Sequence, residues 1–505
     1  MQRWLLSCLL SLAAAPVAAQ DTTLLVPSKV SATLTFDEAM RIARRESPEY
    51  RQTLNNAGPA KMGVRNAYGN FIPSLSLGGG LSYTGSGSQF FGGTTFEQPS
   101  SYGSSYNASF SWLLDGRTIA NVSAQKSLQR ATTADIEGAD MQLLFNVSDQ
   151  YLQARAAEAQ VDVARQQVRR NLDFLALAEA RNRVGQATLL DVRQAQTTLG
   201  ASEVVLLQAI QTSSATKLEL FRLMGVSSTA PIQEVALTDS FPVAPLALPL
   251  AEVQRLAEEN NPALRGFEER EGAAKASLRA ARWEYLPSLR VNGGWSGFTN
   301  QFSNTDDQIA QAQSGAQGGL AACQDNNVIR TSVGLAPQDC TGFSSQLDPG
   351  TGELTPEARG AIVSANDVFP FNFTDNPFQV QLSISLPLFT GFSRSLRVSQ
   401  AKADREDAEE SVRAQRLFIN SAVETRYLGV EAAFRAIAIQ GRNREAARDQ
   451  LRLAQDRYRL GSGSALEVSD AQNVVQQAEG DYVNAIYGYH RAVASLEVAV
   501  GRRLR

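Results

Sequence analysis

Four stretches of alternating apolar and polar residues constrain this chain more than any other feature. In the first, Leu75, Leu77, Leu81 and Tyr83 interleave with Ser74, Ser76, Gly80 and Ser82. In the second, Tyr106, Ala108, Phe110 and Trp112 interleave with Ser105, Asn107, Ser109 and Ser111. The third sets Leu289, Val291 and Trp295 against Ser288, Arg290, Asn292 and Ser296. The fourth sets Phe378, Val380, Leu382, Ile384 and Leu386 against Gln379, Gln381, Ser383 and Ser385. A period of two with one apolar face describes a strand between an apolar and a wet environment. The expected strands are about 73–84, 104–114, 287–298 and 377–387. Each is close to the roughly 10 residues with which a tilted strand crosses a bilayer. Tyr83, Trp112, Trp295 and Phe378 suit an aromatic girdle at the membrane surface. The competing reading is an ordinary half-exposed sheet on a soluble core.

Hydrophobic residues make up 43% of the chain. Beyond the N-terminus, however, no run of about 18 consecutive apolar residues occurs. A membrane span must therefore be a β-barrel or be absent. Four strands cannot close a barrel, and an open edge in lipid leaves backbone groups unpaired at several kcal/mol each. The barrel must then be shared between chains, with eight strands from two copies or twelve from three. An eight-stranded barrel is largely filled by its own side chains, so a conduit favours three.

The N-terminus reads as a secretory signal over residues 1–19. Arg3 supplies the charge, Trp4 to Leu12 the apolar stretch, and Val17-Ala18-Ala19 the small-residue cleavage site. Leu5-Leu6-Ser7-Cys8 loosely resembles a lipoprotein box, but the apolar run before Cys8 is short. Cys323 and Cys340 are the other two cysteines. In an exported protein they form either a disulfide or two free thiols in a loop.

A long-period repeat runs through the chain. Pro48 and Pro262 are 214 apart, as are Pro73 and Pro287 within Ile72-Pro73-Ser74-Leu75 and Leu286-Pro287-Ser288-Leu289. Further on, Arg181-Asn182-Arg183-Val184-Gly185 precedes Arg457-Tyr458-Arg459-Leu460-Gly461 by 276, and Leu190-Asp191-Val192 precedes Leu466-Glu467-Val468 by the same interval. The difference falls in residues 300–375, a Gly-, Ser-, Gln-, Asn- and Asp-rich stretch read as a surface loop insertion. The expected organisation is a first repeat over 20–224 and a proline-rich linker over 225–248. A second repeat then fills 249–505.

The remainder reads as helix. Thr35-Phe36-Asp37-Glu38 has the form of a capping box and opens a helix expected to run towards Gly69. No proline interrupts Arg117 to Arg183, a span of roughly 100 Å as a helix, which demands a coiled-coil-like partner. Val468, Ala471, Val475, Ala478, Tyr482, Ala485, Tyr489, Ala492, Leu496 and Ala499 alternate spacings of three and four, the heptad period. Val192, Ala195, Leu199, Ser202, Leu206 and Ala209 do the same in the first half.

On these residues the chain resembles TolC-type outer-membrane efflux proteins over nearly all of its mature length. The matching pieces are Leu34-Thr35-Phe36-Asp37-Glu38-Ala39, both X-Pro-Ser-Leu strand starts, and Leu386-Pro387-Leu388-Phe389 with Gly391. Both Arg-X-Arg-X-Gly tips match as well. Trp112-Leu113-Leu114-Asp115-Gly116 departs from its counterpart by lacking the proline. The resemblance implies a mainly α fold with a transmembrane β contribution. It would be a homotrimer whose twelve strands form an outer-membrane barrel, continuous with an α-helical tunnel across the periplasm. It also implies a passive duct in a Gram-negative outer membrane, working with a periplasmic adaptor protein and an inner-membrane transporter.

Two sites follow. The helices ending near Gly185 and Gly461 take glycine as a left-handed cap, with Arg183 and Arg459 opposing the helix dipole. In the family such tips face the adaptor, so Arg183, Val184, Gly185, Arg459, Leu460, Gly461 and Ser462 are the contact candidates. Asp191 and Glu467 lie three residues after Thr188 and Ser464, the spacing of a capping box, whereas Asp470 has no capping role. The resemblance places Glu467 and Asp470 at a periplasmic constriction. A three-fold axis would gather them there into acidic rings, and Tyr458 would bridge towards Asp191. The usual basic partner of this lock matches Gly463, so the latch is either weaker or built differently, with Arg457 or Arg459 as the candidate substitutes.

The sequence holds no Cys-X-X-Cys, phosphate loop or Gly-X-Ser-X-Gly, and His490 is its only histidine. No catalytic, metal or cofactor site is expected. With a net charge of −4 and no general basic surface, nucleic acid is not an expected partner.

Overall fold

The computed structural model describes residues 33–91, 93–228 and 230–504. The expected signal segment and Cys8 lie outside them. The chain forms two compact units. Of the described residues, one unit, mainly helical, comprises those up to Val64, Ser123–Leu278 and those from Ser399 onward; the other comprises those of Arg65–Val122 and Arg279–Val398.

In chain order the elements begin with β1 (Thr33–Leu34), α1 (Phe36–Glu46), α2 (Pro48–Asn55) and α3 (Ala57–Gly69). Next come β2 (Ser74–Thr84), β3 (Gly87–Phe91), β4 (Thr94–Gln98), β5 (Ser101–Leu114), α4 (Gly116–Arg183) and α5 (Leu189–Met224). A short strand β6 (Ala236–Leu237) precedes α6 (Leu250–Asn260), α7 (Pro262–Trp283) and β7 (Ser288–Phe302). The chain continues through α8 (Asp306–Ser332), α9 (Thr341–Ser344), α10 (Pro356–Asn366), β8 (Gln379–Ser385), α11 (Ser393–Arg459) and α12 (Ala465–Val500).

The helix expected from Thr35 to Gly69 is three helices. Thr35 caps the first, its hydroxyl accepting from the Glu38 N–H at 3.3 Å. Ser47 then leaves the helical region at φ −57° and ψ 119° because Pro48 follows it. Asn261 does the same at ψ 117° before Pro262. The four long helices α4, α5, α11 and α12 have 68, 36, 67 and 36 residues. None of the heptad positions named above is exposed, and Val192, Ala195, Val468, Ala471, Val475, Leu496 and Ala499 are buried.

The joints beside these helices come in matched pairs. The Tyr151 hydroxyl donates to Leu34 O at 3.0 Å, and the Tyr427 hydroxyl donates to Leu248 O at 3.2 Å. Left-handed Gly225 and Gly501 (φ 75° and 82°) end α5 and α12. A Cβ there would stand 2.9 Å from Pro48 Cδ and from Pro262 Cδ respectively. The linker follows the extended course its prolines dictate, but it also supplies β6, which pairs in parallel with β1. Tyr489 donates to the linker carbonyl of Ala244.

In the second unit the strand order is β2-β5-β7-β8, antiparallel throughout. Cross-strand partners share a face, so the register decides which residues line up. Leu75 stands opposite Phe110, Trp112 opposite Val291, and Val291 opposite Leu382. All the apolar sets named in the sequence therefore fall on one face of the sheet. The edge strands leave that face exposed, with Leu75 84% exposed, Leu81 76% and Ile384 71%, whereas Tyr106, Phe110, Trp112 and Val291 on the middle strands are half-buried. The serines fall on the other face, where Ser74 and Ser111 and then Ser76 and Ser109 pair at 2.8 Å. The strand bounds differ from expectation, since β5 starts at Ser101, β7 reaches Phe302 and β8 spans only Gln379–Ser385.

Residues 300–375 are not the irregular loop their composition suggested. Most of the segment is helical, in α8, α9 and α10 around a small core of Ala316, Leu347 and Leu354. Alanines and glutamines carry α8 through three glycines, and Asp306 and Asp307 stabilise its first turn. Cys323 and Cys340 are joined by a disulfide within this lobe, their Cα atoms 6.0 Å apart.

Candidate functional site

The two helix-turn-helix tips lie in the helical unit, above a core of Phe174, Ala178, Val192, Leu451, Tyr458, Ala465 and Val468. At the first tip, Gly185 adopts φ 73°, which lets its N–H return to Asn182 O at 3.0 Å and the Gln186 N–H to Arg181 O at 2.8 Å. At the second, Gly461 adopts φ 79°, with the Ser462 N–H on Arg457 O at 3.0 Å. Each turn is also tied by an arginine four residues before its glycine. Arg181 Nη2 donates to Gln186 O, and Arg457 Nη2 to Ser462 O, both at 3.2 Å.

The contact candidates Arg183, Val184, Gly185, Arg459, Leu460, Gly461 and Ser462 are all exposed. They are joined by three leucines that the sequence reading missed, Leu189, Leu190 and Leu466, also exposed. These leucines open α5 and α12 but stand off the heptad seam, and that was the available signal. The tips thus expose a cluster of aliphatic side chains that a soluble helix end has no reason to carry.

The acidic candidates separate. Asp191 completes a full capping box: Thr188 Oγ1 accepts from its N–H at 3.2 Å, and its Oδ2 accepts from the Thr188 N–H at 2.8 Å. Glu467 is capped one way only, its N–H donating to Ser464 Oγ at 3.2 Å, while its carboxylate pairs with Arg457 at 3.1 Å. Asp470 is exposed and makes no ion pair among the described residues.

Tyr458 is 3% exposed. Its ring lies 5.4 Å from that of Phe174, and the Arg181 guanidinium carbon sits 4.6 Å from its centroid. Burial raises its pKa, the Asp191 carboxylate raises it further and Arg181 opposes both. Among the described residues, the bridge expected from Tyr458 to Asp191 does not form a hydrogen bond. The capping box occupies the Asp191 carboxylate, and the Tyr458 hydroxyl has no partner among the described residues. Of the two candidate substitutes, Arg457 pairs with Glu467 and Arg459 with Asp456 at 3.6 Å. Position 463 itself is crowded. A Cβ on Gly463 would lie 3.0 Å from Arg457 Cβ and 3.1 Å from the Tyr458 backbone nitrogen, so a side chain there must displace its neighbours.

Comparison with known proteins bears on this arrangement. The sequence profile of the family described as outer membrane efflux protein matches residues 32–226 and 359–502. The pyoverdine export outer membrane protein OpmQ of Pseudomonas putida is 26% identical over 273 residues. That match spans 52% of this chain and 56% of the relative, so only about half of each protein is aligned. Among solved structures, the outer-membrane channel OprN superposes with a TM-score of 0.67 at 18% identity, covering 93% of this chain and 90% of its own. The outer membrane protein VceC of Vibrio cholerae gives 0.66 at 16% identity, covering 93% and 97%. These likenesses are to the fold.

Proposed function

The chain belongs to the outer membrane efflux protein family, proteins of the outer membrane and periplasm that are channels rather than enzymes, and from that premise we propose a specific role. It is a passive trimeric duct of a tripartite efflux or type I secretion system. One observation carries this reading: β2 and β8 are open edges of a four-stranded sheet and expose large apolar residues, Leu75, Leu81 and Ile384 among them, on one face. Lipid tolerates neither an unpaired edge nor half a barrel, and pairing edges among three copies removes both problems. The matched joints of Tyr151 with Leu34 and Tyr427 with Leu248 support the two-repeat organisation. Its boundaries would be 20–224 and 249–505 around the linker.

The exposed aliphatic tips are the surface for a periplasmic adaptor, which would couple the duct to an inner-membrane transporter. Around a three-fold axis, Glu467 and Asp470 would form acidic rings that attract cations to the mouth. The disulfide-bonded lobe belongs at the cell surface. Pyoverdine, the cargo named for the relative, is the first substrate to test.

The decisive experiment is native mass measurement of detergent-extracted protein. Three chains per particle are expected, and a monomer retaining its β-structure refutes the shared barrel.

A further inference from the structure

We propose that Arg181 is the basic pin that holds the two hairpins together at the mouth of the duct. It would take the part that a basic residue at position 463 plays in the resemblance. The proposal rests on the reading of the tips as a gated mouth.

Arg181 lies on α4, in the first hairpin, and Tyr458 on α11, in the second. The guanidinium makes contacts on both sides of the divide. It stacks over the Tyr458 ring at 4.6 Å, donates from Nη2 to Gln186 O at 3.2 Å, and leaves Nη2 3.6 Å from where a Gly461 Cβ would stand. It therefore touches the turn of its own hairpin, the buried ring of the other and the edge of the other turn. Nε and Nη1 are buried and have no hydrogen-bond partner among the described residues, as is true of the Tyr458 hydroxyl. A planar, weakly hydrated cation suits such a place; an ammonium does not.

Two further observations fit the assignment. Position 463 is a glycine set tightly against Arg457 and Tyr458 and brings no charge, so positive charge must reach Tyr458 from elsewhere. The sequence-equivalent arginine, Arg457, does not supply it, because its side chain is 59% exposed and turned to Glu467. Separating the hairpins lifts the Arg181 guanidinium off the Tyr458 ring, whereas Arg457 keeps both its contacts within one hairpin. The pin thus resists opening, and its equivalent does not.

Resting conductance of the full trimer in planar bilayers tests this, with native mass confirming assembly of each variant. Arg181→Ala should raise resting conductance roughly threefold or more. Arg181→Lys should fall between, since it keeps charge but loses the planar stack. Combining Arg181→Ala with Tyr458→Leu should give no more than the larger single effect, because the two remove one interaction. Wild-type conductance in Arg181→Ala, a Lys variant indistinguishable from wild type, or additive effects would each overturn the pin. Glu467→Gln with Asp470→Asn, measured in the same membranes, separates the two levels of the argument. Loss of cation selectivity there with a silent Arg181→Ala leaves the mouth and removes the pin; silence in both removes the mouth.

Discussion

The first tip reads Arg181-Asn182-Arg183-Val184-Gly185 and the second Arg457-Tyr458-Arg459-Leu460-Gly461, and both close with the same glycine turn. They nevertheless solve different problems. In the first, Asn182 serves its own turn, donating to Ala187 O at 2.8 Å, and Arg181 leans across to the neighbouring hairpin. In the second, the residue equivalent to Asn182 is Tyr458, which sinks into the core, while Arg457 stays at the surface with Glu467. One exchange of asparagine for tyrosine thus gives the second tip an aromatic anchor and gives the arginine of the first something to stack on. Equivalent positions in a duplicated pattern need not have equivalent roles once the copies pack against each other.

The difference between the tips is measurable as stability, by thermal or denaturant unfolding of assembled protein followed by helical signal. The largest expected effect is Tyr458→Ala, a loss of about 3 kcal/mol, because truncating a buried ring leaves a cavity beside Phe174. Asn182→Ala at the equivalent position should cost about 1 kcal/mol, one hydrogen bond at a half-buried turn. Equal losses at the two positions would erase the distinction drawn above.

Alkaline pH sharpens the same comparison. The folded pKa of Tyr458 is raised, so the folded state holds this proton more tightly than the unfolded chain does. Its contribution is complete below the unfolded value of about 10 and is lost as pH rises towards the folded value. Tyr458→Phe should therefore flatten part of the alkaline decline in stability. An unchanged decline would mean that other groups carry it.

Smaller effects separate the caps. Thr188→Ala removes the hydroxyl of a two-way capping box and should cost about 1 kcal/mol. Ser464→Ala removes a single cap bond and should cost less. Least of all is expected from Arg457→Ala, within about 0.5 kcal/mol, since its ion pair is solvent-exposed. A larger loss there would give Arg457 a share in the mouth that its geometry does not suggest.

Much of the architecture was legible because it rests on periodicities. Alternation of two marked the strands, and the antiparallel register then put Leu75, Phe110, Trp112, Val291 and Leu382 on one face. The heptad seam of Val468, Ala471 and Val475 was legible for the same reason, since side-chain direction repeats with the backbone. The helical lobe at 306–366 was hidden by its glycines, asparagines and serines, whose local preferences are weak enough for a small core to overrule. At the tips, the residue types and the glycine turns were readable, but the partner of Tyr458 was not.

The sequence by itself determined the long helices, the two turns that end them, the alternating strands and the absence of any long apolar helix. All of these depend on neighbours within a few residues. Only the tertiary structure decided that the Tyr458 hydroxyl goes without Asp191 as a partner and that Arg181 rather than Arg457 reaches its ring. Those outcomes depend on which hairpin faces which across a packed seam, and two arginines in nearly the same local sequence carry no record of it.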